Sequence, residues 1–107
     1  VNLTPHSLTI HGIDGAVLVL RPDGKVARLA ETREPLPPMA VGAAIVPVVR
    51  RRMGEIQDLP APAQDVLYIV SAMVAEAAHR LDVVSPGELI RDAAGVPIGA
   101  KGLCAYN

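Results

Sequence analysis

Residues 68–80 read Tyr-Ile-Val-Ser-Ala-Met-Val-Ala-Glu-Ala-Ala-His-Arg, and this stretch decides the fold class. An apolar run that favours a β-strand meets an alanine-rich run that favours a helix, and Ser71 stands between them as a candidate N-cap. The pattern predicts a buried strand over 66–70 and a helix over 72–81. The helix is expected to pack on a sheet through five apolar side chains, Met73, Val74, Ala77, Ala78 and Leu81.

Short strands separated by turn signals are predicted before this junction. Leu8–His11 alternates apolar and polar residues, and the turn signal Gly12-Ile13-Asp14-Gly15 separates it from a second strand over 16–20. The residues Arg21-Pro22-Asp23-Gly24 predict a further turn, and 25–29 alternates again. The first thirty residues therefore predict an antiparallel meander.

The middle of the chain is dominated by proline. Three prolines in Glu31–Pro38 predict a loop, and Leu59–Ala63 predicts a stiff connector. Residues 41–56 are interpreted as a bent or two-part strand, because Pro47 argues against a continuous helix. The pairing of residues 39–56 is left open.

The last third predicts a turn followed by a hairpin. Ser85-Pro86-Gly87 is a turn signal, and 88–91 is the first strand of the hairpin. Asp92–Gly95 is the predicted hairpin turn, and 96–106 is the last strand, loosened by glycine.

The sequence as a whole predicts one α+β domain over residues 1–107. We expect a small, bent antiparallel sheet of six or seven strands, with a partial barrel as one form and one helix packed on it. A flatter two-layer sandwich is the alternative. A compact chain of 107 residues has a radius of gyration of roughly 13 Å.

Composition predicts a homo-oligomer. Half of the residues are hydrophobic, but the chain has no Phe, no Trp and two Tyr, so small aliphatic side chains must fill the core. So short a chain can hardly cover that much apolar surface with one helix and one sheet. Some of this surface is therefore expected to lie between subunits.

Charge and cysteine content restrict the partners. The net charge of −1 argues against nonspecific nucleic-acid binding, and the single cysteine, Cys104, fits a reducing cytoplasm. The longest apolar stretch, Met39–Val49, is too short to cross a bilayer, so no membrane partner is expected.

Histidines near the first strand suggest a metal site only weakly. His6 and His11 lie five residues apart, so on a strand they point to opposite faces, and a shared ion with Asp14 would need a bulge. We expect instead that Asn2, Thr4 and His6 satisfy backbone groups where the first strand begins. No metal and no cofactor are predicted.

A small hydrolase would need a nucleophile beside a base. Ser71 and His79 lie two helical turns apart, about 12 Å along the axis, even though Asp82 follows. Capping is the preferred role of Ser71, and Cys104 is expected to be a small buried hydrophobe. The protein is therefore predicted not to be an enzyme.

Four cations lie near strand ends, the helix end or glycines: Arg28, Arg80, Arg91 and Lys101. Together with the backbone of Gly95, Gly99 and Gly102 they are predicted to bind a small anionic molecule in a shared pocket. The alternative is that Arg91 pairs with Asp92 or Glu88, that Arg80 pairs with Glu76, and that the glycines only make turns. Residues 50–52, three arginines, are interpreted as a solvated strand edge, with an anionic partner as the alternative.

Six short motifs follow one another along nearly the whole chain. These are Asn2-Leu3-Thr4-Pro5-His6, Gly24-Lys25-Val26-Ala27-Arg28, Tyr68-Ile69-Val70-Ser71, Arg80 with Asp82, Pro86-Gly87, and Arg91-Asp92 with Ile98-Gly99. As a set they resemble a family of small uncharacterised proteins of tailed phages and prophages. The resemblance implies a phage or prophage origin and an accessory role in the cytoplasm of an infected host cell. It implies no established activity.

Three functions follow from these observations. The first is a non-enzymatic phage accessory protein that binds a small anionic host molecule, for example to sequester a defence-signalling nucleotide. The second is a structural or partner-binding accessory protein with 39–49 as its interface. The third is a small hydrolase, which lacks a plausible arrangement of nucleophile, base and orienting group.

Overall fold

Seven strands and one helix follow one another in the computed structural model, which describes residues 1–107. In chain order they are β1 (Leu8–His11), β2 (Val17–Leu20), β3 (Arg28–Val41), β4 (Ala44–Gln57), β5 (Tyr68–Ile69), α1 (Ala72–Ala78), β6 (Val83–Arg91) and β7 (Pro97–Ala105). Strands hold 54% of the residues and form two sheets beside one short helix, which confirms the α+β prediction. The only helix has seven residues, and no helix of this protein is long and apolar enough to cross a membrane.

The larger sheet has five strands in the order β2-β1-β7-β6-β5 and curls into a half-barrel. The pairs β1/β2 and β6/β7 are antiparallel hairpins, as expected. The pairs β1/β7 and β5/β6 are parallel, so the sheet is mixed rather than wholly antiparallel. β5 and β6 are joined through α1, the kind of crossover connection that a parallel pair requires, whereas β1 and β7 lie at opposite ends of the chain.

Both predicted hairpin turns are confirmed. Gly15 has φ of 81° and Gly95 has the same φ, a left-handed conformation that glycine adopts without steric cost. Asp14 accepts a hydrogen bond from the backbone N–H of Ala16. Asp92 accepts hydrogen bonds from the backbone N–H groups of Ala94 and Val96. Each aspartate therefore stabilises its own turn locally.

The predicted meander ends after two strands, and the predicted loop over 31–38 is wrong. β3 pairs with β4 rather than with β2, and it runs through the prolines as an extended strand. Each strand of a two-stranded sheet has one open edge, where a missing proline N–H costs no ladder bond. β4 is one strand of 14 residues rather than two parts, although pairing is irregular between Leu29 and Glu31 and between Leu36 and Met39.

The five-stranded sheet and α1 together are called the body. The β3–β4 hairpin projects from the body and is called the arm. Its strands are 14 residues each, about 46 Å when extended, and the molecule measures 57 Å along its longest axis. The radius of gyration is 17.9 Å, well above the value expected for a compact chain of this length. The chain is therefore a small body with a long arm.

The core lies between α1, the base of the arm and one end of the larger sheet. It consists of seven buried residues, Leu3, Ala27, Tyr68, Val70, Val74, Ala75 and Val83. Leu29 and Ile56, at the base of the arm, pack against this cluster. Only 14 of 107 residues are buried, so most of the apolar composition remains at the surface of a single copy.

The helix is shorter than predicted. Ser71 caps it and accepts a hydrogen bond from the N–H of Val74, as expected, but His79 takes the left-handed conformation, with φ of 48°, and ends it. Leu81 is consequently 83% exposed. Val74 and Ala75 are the buried side chains, and Met73 is half-exposed, so the predicted packing face is only partly right.

The predicted turn at Ser85-Pro86-Gly87 is wrong, because β6 passes through it without a break. Ser85 is fully buried, and its hydroxyl lies 2.9 Å from the hydroxyl of Tyr106. A Cβ on Gly87 would lie 2.4 Å from the carbonyl oxygen of Lys101. Gly87 therefore permits close approach of β6 and β7 rather than a turn.

Candidate functional site

A groove of about 240 Å³ lies where the base of the arm meets the first turn of α1. Its walls are mostly apolar, and they include Met53 of the arm and Met73 of the helix. Flexible thioether side chains adapt to the shape of what they contact. The lining residues are Leu3, Thr4, Pro5, Val26, Ala27, Arg28, Leu29, Met53, Ser71, Met73 and Val74.

Arg28 is the only charged residue of this groove. It is the first residue of β3, is exposed, and makes no ion pair and no side-chain hydrogen bond. Its guanidinium keeps all its donors free for an anion, and planar donors of this kind suit phosphate and carboxylate groups. Arg28 is thus a cation at the rim of an apolar concavity.

Two hydroxyl groups in the groove are already engaged. The Thr4 hydroxyl donates to the Oδ1 of Asn2, 2.6 Å away, and Ser71 accepts from the N–H of Val74 at 3.4 Å. Asn2 is 2% exposed, and its amide donates to the carbonyls of His6 and Leu20. The Thr4 hydroxyl also lies 3.1 Å from the carbonyl oxygen of His6. The prediction that these side chains satisfy backbone groups is therefore confirmed for Asn2 and Thr4 and is wrong for His6, which takes part only through its carbonyl.

Arg80 is engaged at the far end of the helix. Two of its nitrogens lie 2.9 and 2.6 Å from the carboxylate of Asp82, and a third donates to the carbonyl of Pro60. The hydrogen bond from Arg80 lowers the pKa of Asp82, and the same bond raises the pKa of Arg80. The guanidinium also lies 5.9 Å from the ring centre of Tyr68. Pairing with Glu76, the alternative considered from sequence, does not occur because the helix ends before Arg80.

Arg91 and Lys101 lie on the β6–β7 hairpin. Arg91 donates to the carbonyl of Gly95 at 2.9 Å, instead of pairing with Asp92 or Glu88. Lys101 lies 3.9 Å from Glu88, and both side chains are well exposed. Of the four predicted ligand-binding cations, Arg28 alone lines a cavity of this single chain. A shared pocket for all four does not form within one copy, and the ligand-binding role of the four stays a prediction.

A second cavity of about 220 Å³ lies beside β1 and β7 and carries no charged residue. Gly99 lines it, and a Cβ there would lie 3.1 Å from the carbonyl oxygen of Thr9. This glycine therefore allows β7 to approach β1, which are paired in parallel. Gly95 and Gly102 have positive φ and serve backbone conformation.

The residues considered for a metal site or a hydrolase site are not brought together. No three His, Cys, Asp or Glu side chains form a cluster suited to a metal ion. Ser71 and His79 cap opposite ends of α1, and Cys104 is half-buried on β7 rather than fully buried. The groove itself was not predicted, because its walls come from four separate parts of the chain and no local pattern marks them.

Three arginines of the arm, Arg33, Arg50 and Arg51, form ion pairs with glutamates of β3. Arg51 lies 3.0 Å from Glu31, and Arg50 lies 3.8 Å from Glu34. A hydrogen bond from Arg33, followed by the charge of Arg51, lowers the pKa of Glu31. Arg52 makes no ion pair. The prediction of a solvated, charged strand edge thus agrees with the structure for 50–52.

No protein-family model, curated protein or solved structure matches this chain.

Proposed function

We propose that this chain is a non-enzymatic binding protein that holds a small anionic molecule in the groove at the base of the arm. The observation that carries the proposal is the free guanidinium of Arg28 at the rim of an apolar groove of about 240 Å³. Small-molecule sites combine apolar walls with a few polar groups that orient the ligand. A phosphorylated nucleoside fits this combination, because its base contacts apolar walls while its phosphate accepts from arginine.

The resemblance to phage and prophage proteins supports a biological setting for this binding. In that setting the protein is an accessory factor that sequesters a host molecule, for example a defence-signalling nucleotide. Arg80, Arg91 and Lys101 remain predicted ligand contacts. Each has a protein partner in the single chain, so each would have to exchange that partner for the ligand, whereas Arg28 would not.

The test is calorimetric titration of cyclic dinucleotides and ADP-ribose into the wild type and into Arg28→Ala. A hydrogen-bonded charge pair lost from the site should weaken binding by roughly ten- to a hundredfold. Arg21→Ala is the matched control, because Arg21 is exposed, lines neither cavity and makes no ion pair.

Undetectable binding of every compound by the wild type would overturn the proposal. Equal binding by the Arg28→Ala and Arg21→Ala chains would remove the groove as the site. Arg80→Ala and Arg91→Ala, titrated in parallel, decide whether the other arginines contact the ligand.

A second candidate function, assembly with a protein partner, is favoured by the arm. Its outer half is apolar and exposed on a projection that the body does not cover. A structural or partner-binding role uses this surface and leaves the groove free.

A further inference from the structure

The outer half of the arm, residues 35–49, contains no charged side chain and no side chain with a hydrogen-bonding group. We call it the distal arm. Met39 is 59% exposed, Val41 is 62% exposed and Ile45 is 72% exposed. Several exposed apolar side chains gathered in one region of a single chain mark an interaction site.

No further strand or helix of the same chain packs on the distal arm. Leu29 and Ile56 pack on the core at the base of the arm, but the strands continue outward as an isolated pair. A two-stranded sheet alone is marginally stable in water at best. Continuous apolar runs such as Met39–Val49 are typical of strands buried by neighbouring elements.

Strand alternation divides the arm into two faces. On β4, Val46, Val48, Arg50 and Arg52 share one face, and the register places Met39 opposite Val46. We call this the Met39 face. From tip to base it carries Val41, Met39 and Leu36 on β3, followed by Glu34 opposite Arg50. Ile45 and Ala40 lie on the opposite face.

The prolines of the distal arm disfavour pairing of a partner strand with its edges, so a partner is expected on one of its faces. Four residues of the distal arm are proline, at 35, 37, 38 and 47, and none has a backbone N–H to donate to an added strand. A partner therefore stacks on the sheet instead of extending it.

We propose that the Met39 face stacks on the same face of a second copy, with the two arms parallel about a two-fold axis along their length. This arrangement places β3 of one copy over β4 of the other. Apolar tips then meet each other, and Glu34 of each copy faces Arg50 and Arg52 of its partner. Arg52, which has no ion pair within its own chain, gains one.

The size of the contact is that of a small interface. The part of the arm beyond its base, from Thr32 and Arg52 to the tip, is about 33 Å long and about 10 Å wide. Stacking therefore buries on the order of 700 Å² over two copies, which lies at the low end of protein interfaces. Self-association of this kind goes beyond the proposed anion binding and is measured separately from it.

Sedimentation equilibrium at micromolar concentration tests the proposal. The wild type is expected to have about twice the 11.2 kDa chain mass or a multiple of that pair. Val41→Glu places a charge on the Met39 face and should weaken association at least a hundredfold. Ile45→Glu is the matched control on the opposite face, and Ile13→Glu is a control at an exposed turn of the body.

Circular dichroism of each variant establishes that the body is folded. A wild-type monomer of 11.2 kDa overturns the proposal. Retained association in the Val41→Glu chain, or lost association in the Ile45→Glu chain, also overturns the assignment to the Met39 face.

Cross-linking tests the parallel arrangement. Ala43 lies in the turn between β3 and β4, so two parallel arms bring this residue of each copy together. In a Cys104→Ser background, Ala43→Cys should form an intermolecular disulfide on mild oxidation, and Ile13→Cys should not. Absence of the Ala43→Cys dimer in an associating chain overturns the parallel arrangement.

Discussion

At the scale of single residues, structural hydrogen bonds account for several polar side chains that have the chemistry of catalytic or binding groups. Asn2 is buried and uses its amide to bind the carbonyls of His6 and Leu20. Ser71 caps a helix, and Asp14 stabilises a turn. Arg28 differs from these residues, because its guanidinium has no partner and the residue lines a groove.

The Arg80–Asp82 pair should make stability depend on pH. The pKa of Asp82 in the folded protein lies below the ordinary value of 3.8. Asp82 therefore binds its proton more readily in the unfolded chain than in the folded protein. The stabilisation is therefore fully present above pH 3.8 and is lost as the pH falls through the lowered value. Asp82→Asn should unfold at lower urea concentration at neutral pH and lose less stability on acidification than the wild type.

Urea unfolding at about pH 6 and at about pH 2.5 measures this difference. Glu55→Gln is the control, because Glu55 is exposed and makes no ion pair. Equal acid sensitivity of the Asp82→Asn chain and the wild type would contradict a stabilising role for the pair.

At the scale of elements, backbone restrictions determine where helices and strands end. The helix ends at His79 in the left-handed conformation, although the apolar pattern continues to Leu81. β6 continues through Ser85-Pro86-Gly87, because pairing with β7 outweighs the local turn preference. Pairing between strands thus overrides local propensity at the prolines of β3 and again in β6.

Gly87→Ala should destabilise the β6–β7 hairpin. The added Cβ would lie 2.4 Å from the backbone oxygen of Lys101, and a backbone atom cannot move aside as a flexible side chain does. We expect a loss of about 1–3 kcal/mol in the free energy of unfolding. Thermal or urea unfolding measures it. In Gly54→Ala, the control, the nearest atoms lie 3.6 Å away, so a comparable loss there would contradict this explanation.

At the scale of the whole molecule, the division into body and arm dominates. The body holds the core, and the arm exposes the longest apolar stretch of the sequence. A radius of gyration of 17.9 Å shows that the 107 residues do not fold around one compact core. Beyond its base, the arm therefore adds exposed surface rather than buried core to its own chain.

Association through the arm should make the melting temperature depend on protein concentration, because binding between folded copies stabilises the folded state by mass action. A chain with residues 36–48 replaced by Asn-Gly keeps every residue of the core. We expect its melting temperature to stay constant over a hundredfold dilution while that of the wild type falls. Scanning calorimetry checks both, and equal behaviour of the two chains would contradict an associating arm.

Local sequence patterns determined those elements whose causes are local. The β1–β2 and β6–β7 turns follow from aspartate and glycine, the start of α1 follows from Ser71, and β1 follows from alternation. The apolar character of Met39–Val49 is also visible in the sequence. The α+β class follows from these parts together, since each depends on residues only a few positions apart.

Only the tertiary structure decided the pairing between distant segments. It joined β1 to β7 and β5 to β6 in parallel, and it paired β3 with β4 through residues whose prolines favour a loop. It also assembled the groove around Arg28 from four parts of the chain and brought Arg80 to the carbonyl of Pro60. Pairing depends on the packing of surfaces far apart in the chain, whereas a local pattern records only the preference of its own residues.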